Sequence, residues 1–412
     1  MRFLLVQPTF PGQWHHLLRT LVGEGGHDIV YLYDSALTQG AAIPGVATRA
    51  YPAPARVDAG PVAARDFTNA VARGEAVLGA ARDLRDRGFV PDVIWAHGGF
   101  GEGVFVKQAF PESRLLVFAE YYHGVPGTEI DYDPAFQPTD QQRKTAKAKN
   151  ATLLTALGEA DAVVAPTAWQ ASLLPAPWRA QVRVIHDGID TDTIAPRDVG
   201  AVRLPDGTVL KADQPVVTFA ARALEPIRGI HWFLRALPQV FSSHPNAQVV
   251  VAGVDRSAYG PQRTGGLIRQ LRQEIGDRVP WDRVHFPGWL RSAQLHALFS
   301  VTHAHVYPSA PFVQSWSLIE AMACGAPIVA SDTAAVRDLL VDRESARLTD
   351  PRGPARLGRV VADVIAAPQT ARRLSSAARA RAVAVFDARR VCVPRQRALL
   401  AELHRSSARA KG

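Results

Sequence analysis

Residues 308–332, PSAPFVQSWSLIEAMACGAPIVASD, decide how the C-terminal half of this sequence folds. Ser317 can cap a helix, and Glu320 lies three residues later, as in a capping box. Gly325 ends that helix, and a proline two residues further on prevents its return. The apolar run Ile328–Ala330 follows at once and predicts a strand. The stretch therefore predicts a helix held between two strands of one sheet.

A helix that begins directly after a strand is also suited to binding an anion. Its first backbone N–H groups are free, and its positive end points beyond the edge of the sheet. A diphosphate can be held there without a metal ion, and a carboxylate one turn into the helix, at Glu320, can accept hydrogen bonds from ribose hydroxyls. An ordinary strand–helix–strand unit explains the same pattern when it is taken alone.

The alternation of apolar runs and helix-like stretches recurs along the chain and is interrupted by a segment rich in Pro and Gly. It predicts an N-terminal domain over 1–190, a linker over 191–215 with a hairpin at 206–207, a C-terminal domain over 216–385, and a basic helix over 386–412. The expected fold is α/β, with two doubly wound Rossmann-like domains facing a cleft. The predicted strands are Phe3–Val6, His27–Leu32, Asp92–Ala96, Arg114–Ala119, Ala162–Ala165, Val182–Ile185, Val216–Ala220, Gln248–Ala252, Arg283–Phe286, His305–Pro308 and Pro327–Ala330.

The net charge of +9 on this 412-residue chain is concentrated at its C-terminal end. Residues 371–412 contain eleven Arg or Lys and two Asp or Glu, so the rest of the chain is close to neutral. A chain-wide basic face for nucleic acid is therefore excluded. We interpret the basic end as a solvated arginine-rich helix, with peripheral contact to a membrane surface as the alternative.

Other features of the composition limit the compartment and the cofactors. The two cysteines, Cys324 and Cys392, provide neither a disulfide framework nor a metal cluster. No apolar run is long enough to span a bilayer, and the apolar start of the chain stops at Gln7 without a cleavage site for a signal peptide. We expect a cytoplasmic protein.

The run Glu320–Gly325, EAMACG, closely resembles the donor-site motif of the family 4 (group 1) glycosyltransferases, retaining enzymes of the GT-B fold. The family pattern is a Glu, seven residues and a second Glu in this context. The resemblance implies that the second Glu, Glu320, binds the donor ribose, and that the preceding backbone meets the phosphates. The first Glu falls on Phe312, which leaves the donor sugar open. The implied donor-loop residues are Phe312, Gln314, Ser315, Trp316, Ser317 and Glu320.

Two further segments agree with the resemblance. The family has an Arg and a Lys that neutralise the leaving pyrophosphate; here they are Arg222 and Arg228, and an arginine can hold two phosphate oxygens at once. Gly253 would allow close approach of the nucleotide, and Trp289 and Leu290 resemble the turn that frames the base. Surface arginines and core packing are the plain alternatives.

In the N-terminal half the resemblance is looser. Gly12 and Gln13 lie in the loop after the first strand and are candidates for contact with the donor phosphate or the acceptor, although a plain strand–helix turn explains them as well. His97 ends a buried strand where family members often place a histidine beside the cleft. Glu120 occupies the position of a family catalytic histidine, with His123 just beyond. A buried structural glutamate is the competing interpretation for Glu120.

The resemblance implies a hexosyltransferase that moves a sugar from a nucleoside-diphosphate sugar to the hydroxyl of a carbohydrate, lipid-linked or small-molecule acceptor, with retention and without metal or cofactor. It also implies that the last helix crosses back to the N-terminal domain. We interpret the D-x-D runs at 131–133 and 190–192 as turns. Three alternatives remain: an epimerase or phosphorylase of the same fold, a nicotinamide-dependent oxidoreductase, whose glycine fingerprint is missing, and a nucleotide-sugar-binding protein without transferase activity.

Overall fold

A computed structural model describes residues 1–38, 42–211, 213–258 and 266–410, and the side chains up to residue 406. Residue 212 of the predicted linker and the last two residues of the predicted basic helix lie outside this part. The chain divides into two compact units. The first contains residues 1–131, 135–188 and the C-terminal segment from Ala388, and the second contains residues 132–134 and 189–387.

The first unit is built on a sheet of seven parallel strands in the order β3-β2-β1-β4-β5-β6-β7. The strands are β1 Arg2–Val6, β2 Asp28–Asp34, β3 Ala47–Tyr51, β4 Val93–His97, β5 Arg114–Phe118, β6 Ala162–Ala165 and β7 Arg183–Val184. The helices that connect them are α1 His15–Glu24, α2 Arg65–Asp86, α3 Val106–Ala109, α4 Asp140–Gly158, α5 Ala168–Ser172 and α6 Ala176–Arg179. The central strands are apolar along most of their length because helices cover both of their faces.

Alternate side chains of β1 show the two faces of this sheet. Leu4 and Val6 belong to a core that includes residues of α2 and α4, whereas Phe3 and Leu5 belong to a core that includes residues of α1. Successive side chains of a strand point to opposite faces, so each face has its own apolar layer.

The second unit has a sheet of six parallel strands in the order β12-β11-β10-β13-β14-β15. The strands of the unit, with a separate hairpin β8–β9, are β8 Ala201–Arg203, β9 Val209–Lys211, β10 Val216–Ala223, β11 Gln248–Val254, β12 Val284–Gly288, β13 Ala304–Tyr307, β14 Ile328–Ser331 and β15 Arg347–Thr349. Its helices are α7 Ile230–Ser243, α8 Leu267–Ile275, α9 Ser292–Val301, α10 Trp316–Ala323, α11 Ala334–Arg337, α12 Pro354–Ala366 and α13 Pro368–Phe386.

The hairpin predicted within the linker segment is present. Its strands β8 and β9 pair around Asp206 and Gly207. Val202, Leu204 and Leu210 are buried in a core shared with β10, β11, α9 and α10. This part of the predicted linker therefore packs on the second unit.

The arginine-rich C-terminal segment is not a single solvated helix, and that expectation is wrong for several of its arginines. Helix α13 ends at Phe386, and the last helix, α14, covers Val393–Ala410. In α13, Arg379 donates to the carbonyls of Ile194 and Ala323, and Arg381 donates to that of Asp338. These guanidinium groups satisfy backbone oxygens inside the second unit.

Helix α14 belongs to the first unit, where Leu399, Leu400 and Leu403 are buried in the core beside α1. Arg395 donates to the carbonyl of Val184, at the edge of that sheet. A search of the described residues for a helix long and apolar enough to cross a membrane found none.

Candidate active site

Both sheets reverse their strand order beside their first strand. In the first sheet β1 lies between β2 and β4, and in the second β10 lies between β11 and β13. Ligands of doubly wound sheets bind outside the carboxyl ends of the strands at such a reversal. Gln13 follows β1 and His97 ends β4, while Arg222 lies near the end of β10 and Ser315 follows β13. These four predicted residues thus fall at the two reversal points.

Helix α10 begins two residues earlier than the sequence indicates. Its N-cap is Ser315, whose side-chain oxygen accepts from the backbone N–H of Ser317 at 3.3 Å. The predicted cap at Ser317 and its capping box with Glu320 are therefore wrong. Two serines stand two residues apart, and Ser317 is instead used inside the helix, where its hydroxyl contacts that of Ser315 at 2.7 Å.

With the helix starting at Trp316, Glu320 lies just beyond its first turn. The Glu320 side chain is 18% exposed, and its Oε2 lies 3.3 Å from Nε2 of His296 on α9. Cys324 follows one turn later. Burial and the Glu320 charge raise the pKa of the Cys324 thiol to about 12. Glu320 is thus a partly accessible carboxylate and the one charged residue of α10.

Arg228 connects the loop after β10 to the loop before α10. Its guanidinium donates to the carbonyl of Val313 at 3.1 Å and lies 5.4 Å from the ring centre of Phe312. Phe312 is 4% exposed, so the residue that replaces the family glutamate packs against the arginine. A second bond between the same two loops runs from the Ala310 N–H to the Ile227 carbonyl at 2.9 Å.

Gly229, directly after Arg228, is required by its surroundings. Its φ is +76°, and a Cβ placed on it would lie 2.1 Å from the carbonyl oxygen of Pro308. Only glycine allows that approach without moving one of the loops. The sequence pattern that ends in Arg228-Gly229 therefore reflects a backbone contact as well as a charge.

The other predicted donor residues are placed as follows. Arg222 is exposed on β10. Gly253, with φ +143°, approaches the Ala221 carbonyl so closely that a Cβ would lie 2.2 Å from it. Trp289 is 62% exposed, whereas Leu290 is buried in the core with the hairpin. Trp316 is exposed, and the side-chain Nε2 of Gln314 is buried without a hydrogen-bond partner among the described residues.

In the first unit, Glu120 lies between His97 and Gln13. Gln13 donates to Oε1 at 3.3 Å, and Nε2 of His97 lies 3.6 Å from Oε2. The Gly99 N–H donates to Nδ1 of His97, so the neutral ring carries its proton on Nε2, toward Glu120. The Gln170 amide donates to the Glu120 carbonyl at 2.5 Å. These residues come from the segments after β1 and β5, from the end of β4 and from helix α5, which follows β6.

The charge state of Glu120 follows from these contacts. Burial acts to raise the pKa of the carboxyl, but the contacts with His97 and Gln13 and the charge of His123 hold that pKa below its ordinary value. The side chain is 28% exposed. Glu120 is therefore an ionised group that can accept a hydrogen bond from a sugar hydroxyl.

His123 belongs to a neighbouring cluster centred on Glu129. The Glu129 carboxylate accepts from Tyr121 at 2.5 Å and from Thr128 at 2.7 Å, and it lies 3.3 Å from Nδ1 of His123. Burial acts to raise the pKa of Glu129, but the hydrogen bonds lower it overall. Sequence reasoning missed Glu129, although its position shortly after His123 offered a signal.

Gly12, with φ +51°, opens the turn that carries Gln13.

A second group of residues, which the sequence did not reveal, lies at the ends of β2 and β3, after β4 and on α2. Arg73 contacts Asp34 at 3.5 Å and Glu102 at 3.4 Å, and Tyr51 donates to Glu102 at 3.0 Å. Glu102 is fully buried, and burial raises its pKa. No sequence motif connects these four residues, because each comes from a separate element.

The two D-x-D runs differ. Asp190 accepts from the backbone N–H groups of Asp192 and Thr193, both at 3.1 Å, which confirms the turn interpretation there. In the other run, Asp131 also lies in a turn and accepts from the Gly127 N–H, whereas Asp133 lies 2.8 Å from the buried His231. Within the described residues, no group of three or more His, Cys, Asp or Glu side chains is arranged to hold a metal ion.

Two protein families match successive parts of this chain. Residues 25–194 match the family described as "Glycosyl transferase family 4 group", and residues 214–367 match "Glycosyl transferases group 1". A glycogen synthase from Mycobacterium tuberculosis is 26% identical over 94% of this chain and 91% of its own. A D-inositol 3-phosphate glycosyltransferase from Segniliparus rotundus is 28% identical over 54% of this chain, and the match spans 48% of that relative.

Solved structures show the same fold. A sucrose-phosphate synthase from Thermosynechococcus elongatus superposes with a TM-score of 0.72 at 19% identity, covering 98% of this chain and 100% of that one. Anabaena HepE in complex with UDP-glucose gives 0.66 at 16% identity, covering 100% and 99%. The two family matches together cover about four-fifths of the chain. The chain therefore belongs to the family 4 (group 1) glycosyltransferases and has their GT-B fold.

Proposed function

We propose that this chain transfers a hexosyl group from a nucleoside-diphosphate sugar to an acceptor hydroxyl, with retention of the anomeric configuration and without a metal ion. One observation carries the proposal. The bond from Arg228 to the Val313 carbonyl holds a buried arginine against the loop that leads into helix α10. A cation, a helix N-terminus and the carboxylate of Glu320 thus occur on one edge of the second sheet.

Each of these groups suits a part of the donor. Arg222 and Arg228 supply positive charge for the diphosphate, and arginine is well suited to phosphate oxygens. The N-terminus of α10 attracts the same anion. Glu320 can accept hydrogen bonds from the ribose hydroxyls. UDP-glucose is the first donor to test, because the solved HepE complexes hold UDP and glucose or UDP-glucose.

We place the transfer on a front-face route. The bond from the anomeric carbon to the diphosphate oxygen breaks, and the acceptor oxygen forms its new bond on the same face. The acceptor proton moves to the departing phosphate oxygen, so no protein nucleophile is needed. Arg228 stabilises the charge on that phosphate, and ionised Glu120 orients a sugar hydroxyl. This assignment keeps His97 as the group that orients Glu120.

A nucleotide-release assay tests the reaction class. Purified protein is incubated with UDP-glucose, GDP-mannose and ADP-glucose, with and without chelator, and nucleoside diphosphate is measured. Arg228→Ala should lower release by at least about tenfold. Arg235 lies on α7 and pairs with Glu274 of α8, so Arg235→Ala should leave the release of nucleoside diphosphate unchanged. Loss of activity in chelator would overturn metal independence, and an inverted anomeric signal in product NMR would overturn retention.

A glutamine at position 120 tests the catalytic assignment. Glu120→Gln keeps the shape but removes the charge, so kcat should fall by about a hundredfold while UDP binding stays within about twofold. Glu159→Gln changes an exposed glutamate of the same unit and serves as the control. Full activity in Glu120→Gln would show that Glu120 has only a structural role.

A second candidate function is nucleotide-sugar binding without turnover. The observation that favours it is Phe312, a buried ring where the family has an acid that contacts the donor sugar. Tight UDP-glucose binding in calorimetry with no nucleotide release from any donor would support it. A carbohydrate, lipid-linked or small-molecule acceptor fits the transferase proposal. A chain with two cysteines, both buried, fits a cytoplasmic location.

A further inference from the structure

His296 is a buried histidine beside the carboxylate proposed to bind the ribose. It lies on α9, is 5% exposed, and places Nε2 3.3 Å from Oε2 of Glu320 on α10. Among the described residues, Nε2 makes no hydrogen bond of regular geometry, and its 3.3 Å approach to Oε2 is the polar contact that the structure shows for this nitrogen. Because a lone pair on Nε2 would repel the carboxylate, this nitrogen carries a proton.

The contact has a direct consequence for the carboxylate. Glu320 has two oxygens, and the imidazole occupies the approach to Oε2. The Glu320 side chain is 18% exposed, and a ligand can contact only that exposed part of the carboxylate. A free glutamate side chain populates several rotamers, and a buried partner reduces that freedom. The carboxylate is thereby held before a nucleotide arrives.

A plain packing role for His296 makes a different prediction. If the ring only filled space between α9 and α10, an apolar side chain of similar size would serve equally well. Buried polar groups cost free energy unless they are paired. A histidine whose Nε2 lies beside a carboxylate is therefore better explained by that carboxylate than by packing.

We propose that His296 is a positioning residue that orients Glu320 toward the ribose hydroxyls of the bound nucleotide and so determines the preference of this chain for ribonucleotides. The inference rests on the proposed role of Glu320. It adds a residue of α9 to the donor site, although α9 carries none of the predicted donor residues. His296 acts through Glu320 and has no role in the bond-changing step.

The test measures discrimination between ribose and dideoxyribose. Calorimetry gives the Kd of UDP and of 2′,3′-dideoxy-UDP, and their ratio isolates the contribution of the two hydroxyls. Loss of one oriented hydrogen bond to a charged group is expected to reduce the ratio by about tenfold. We expect His296→Leu to lower the ratio in this way by weakening UDP while leaving dideoxy-UDP unchanged.

Two variants make the result specific. His296→Gln retains an N–H donor and should therefore keep much of the parent protein's discrimination between UDP and 2′,3′-dideoxy-UDP. His244→Leu removes another partly buried histidine, whose Nε2 contacts the Ala362 carbonyl, and should change stability without changing the ratio. In turnover, His296→Leu should raise the donor KM and leave kcat at saturation within about twofold.

Glu320→Ala separates failure of this inference from failure of the proposed function. If Glu320→Ala keeps the parent ratio, Glu320 does not bind the ribose and both ideas fall. If Glu320→Ala lowers the ratio of the two Kd values but His296→Leu and His296→Gln both leave it at the parent value, the role of His296 is overturned and that of Glu320 stands. Should His296→Leu not fold, His296→Asn, which shortens the side chain, replaces it in the comparison and is expected to lower the ratio.

Discussion

Replacing Gly229 by alanine tests whether the backbone contact behind Arg228 builds the donor site. The added Cβ would lie 2.1 Å from the Pro308 oxygen and 2.7 Å from its carbon, whereas ordinary contact begins at 3.4 Å. One of the two loops must therefore move by more than about 1 Å. The loops concerned are the one that carries Arg228 and the one that begins at Pro308.

The expected loss of stability has two parts. Alanine at φ +76° costs about 1–2 kcal/mol because its Cβ is crowded in the left-handed region. Forcing an extra methyl group into a packed site costs about 1–3 kcal/mol more. Gly266, the N-cap of α8, is a matched control, since it is also left-handed with φ +89° and ψ +3° and a Cβ there meets only the end of the Arg269 side chain, at an ordinary contact distance of 3.6 Å. Gly266→Ala should show only the first part.

Urea unfolding followed by tryptophan fluorescence measures the difference. We expect Gly229→Ala to lose about 2–5 kcal/mol and Gly266→Ala about 1–2 kcal/mol, with equal m-values. A displacement of about 1 Å near the reacting groups can reduce turnover about a hundredfold. Donor kcat/KM should therefore fall strongly in Gly229→Ala alone. Equal stability and equal activity in the two variants would refute the contact between the loops.

Three other predictions concern buried side chains. Burial lowers the pKa of His305 to about 3 from 6.5, so below pH 6.5 the unfolded chain binds a proton that the folded chain does not. The free energy of unfolding should fall by about 1.4 kcal/mol per pH unit from about pH 6.5 to 3. His305→Asn, which can still bond to Thr218, should remove the contribution of His305 to this pH dependence, as measured by chemical unfolding. An unchanged pH dependence in the variant would show that His305 is not buried in its neutral form. The Cys324 thiol, with its pKa raised to about 12, should resist maleimide at pH 8 until the protein unfolds, and rapid labelling of native protein in mass spectrometry would count against its burial. Phe312→Leu removes the ring 5.4 Å from the Arg228 guanidinium, so UDP affinity should fall about fivefold in calorimetry, in line with about 1 kcal/mol for the pair, and an unaltered Kd would show that the ring does not hold Arg228.

Much of the architecture could be predicted because it is recorded in local patterns. The apolar runs that became β1, β4, β10 and β13 are buried over most of their length, and strands covered on both faces are mainly apolar. The elements that were missed lack this signal. Strand β3, ATRAY, lies at the edge of its sheet and buries only Tyr51. Helix α4 begins with the polar run DQQRKTAKAKN, so its apolar periodicity appears only in its second half.

The candidate site divides in the same way. Glu320, Arg222 and Arg228 could be identified because their spacing within short motifs resembles that of the family. His296 could not, since its partner lies on another helix. Glu102 likewise contacts Arg73 and Tyr51 from separate elements.

By itself, the sequence determined where the chain turns, which runs are buried in each sheet and which residue types stand at the carboxyl ends of its strands. These follow from interactions over a few residues, which a linear pattern retains. Only the tertiary structure decided that Ser315, rather than Ser317, caps α10, that Arg228 bonds to Val313, and that His296 faces Glu320. The two contacts depend on the packing of segments that are distant along the chain, and the cap depends on a choice between two similar serines. Local propensity alone specifies neither the packing nor that choice.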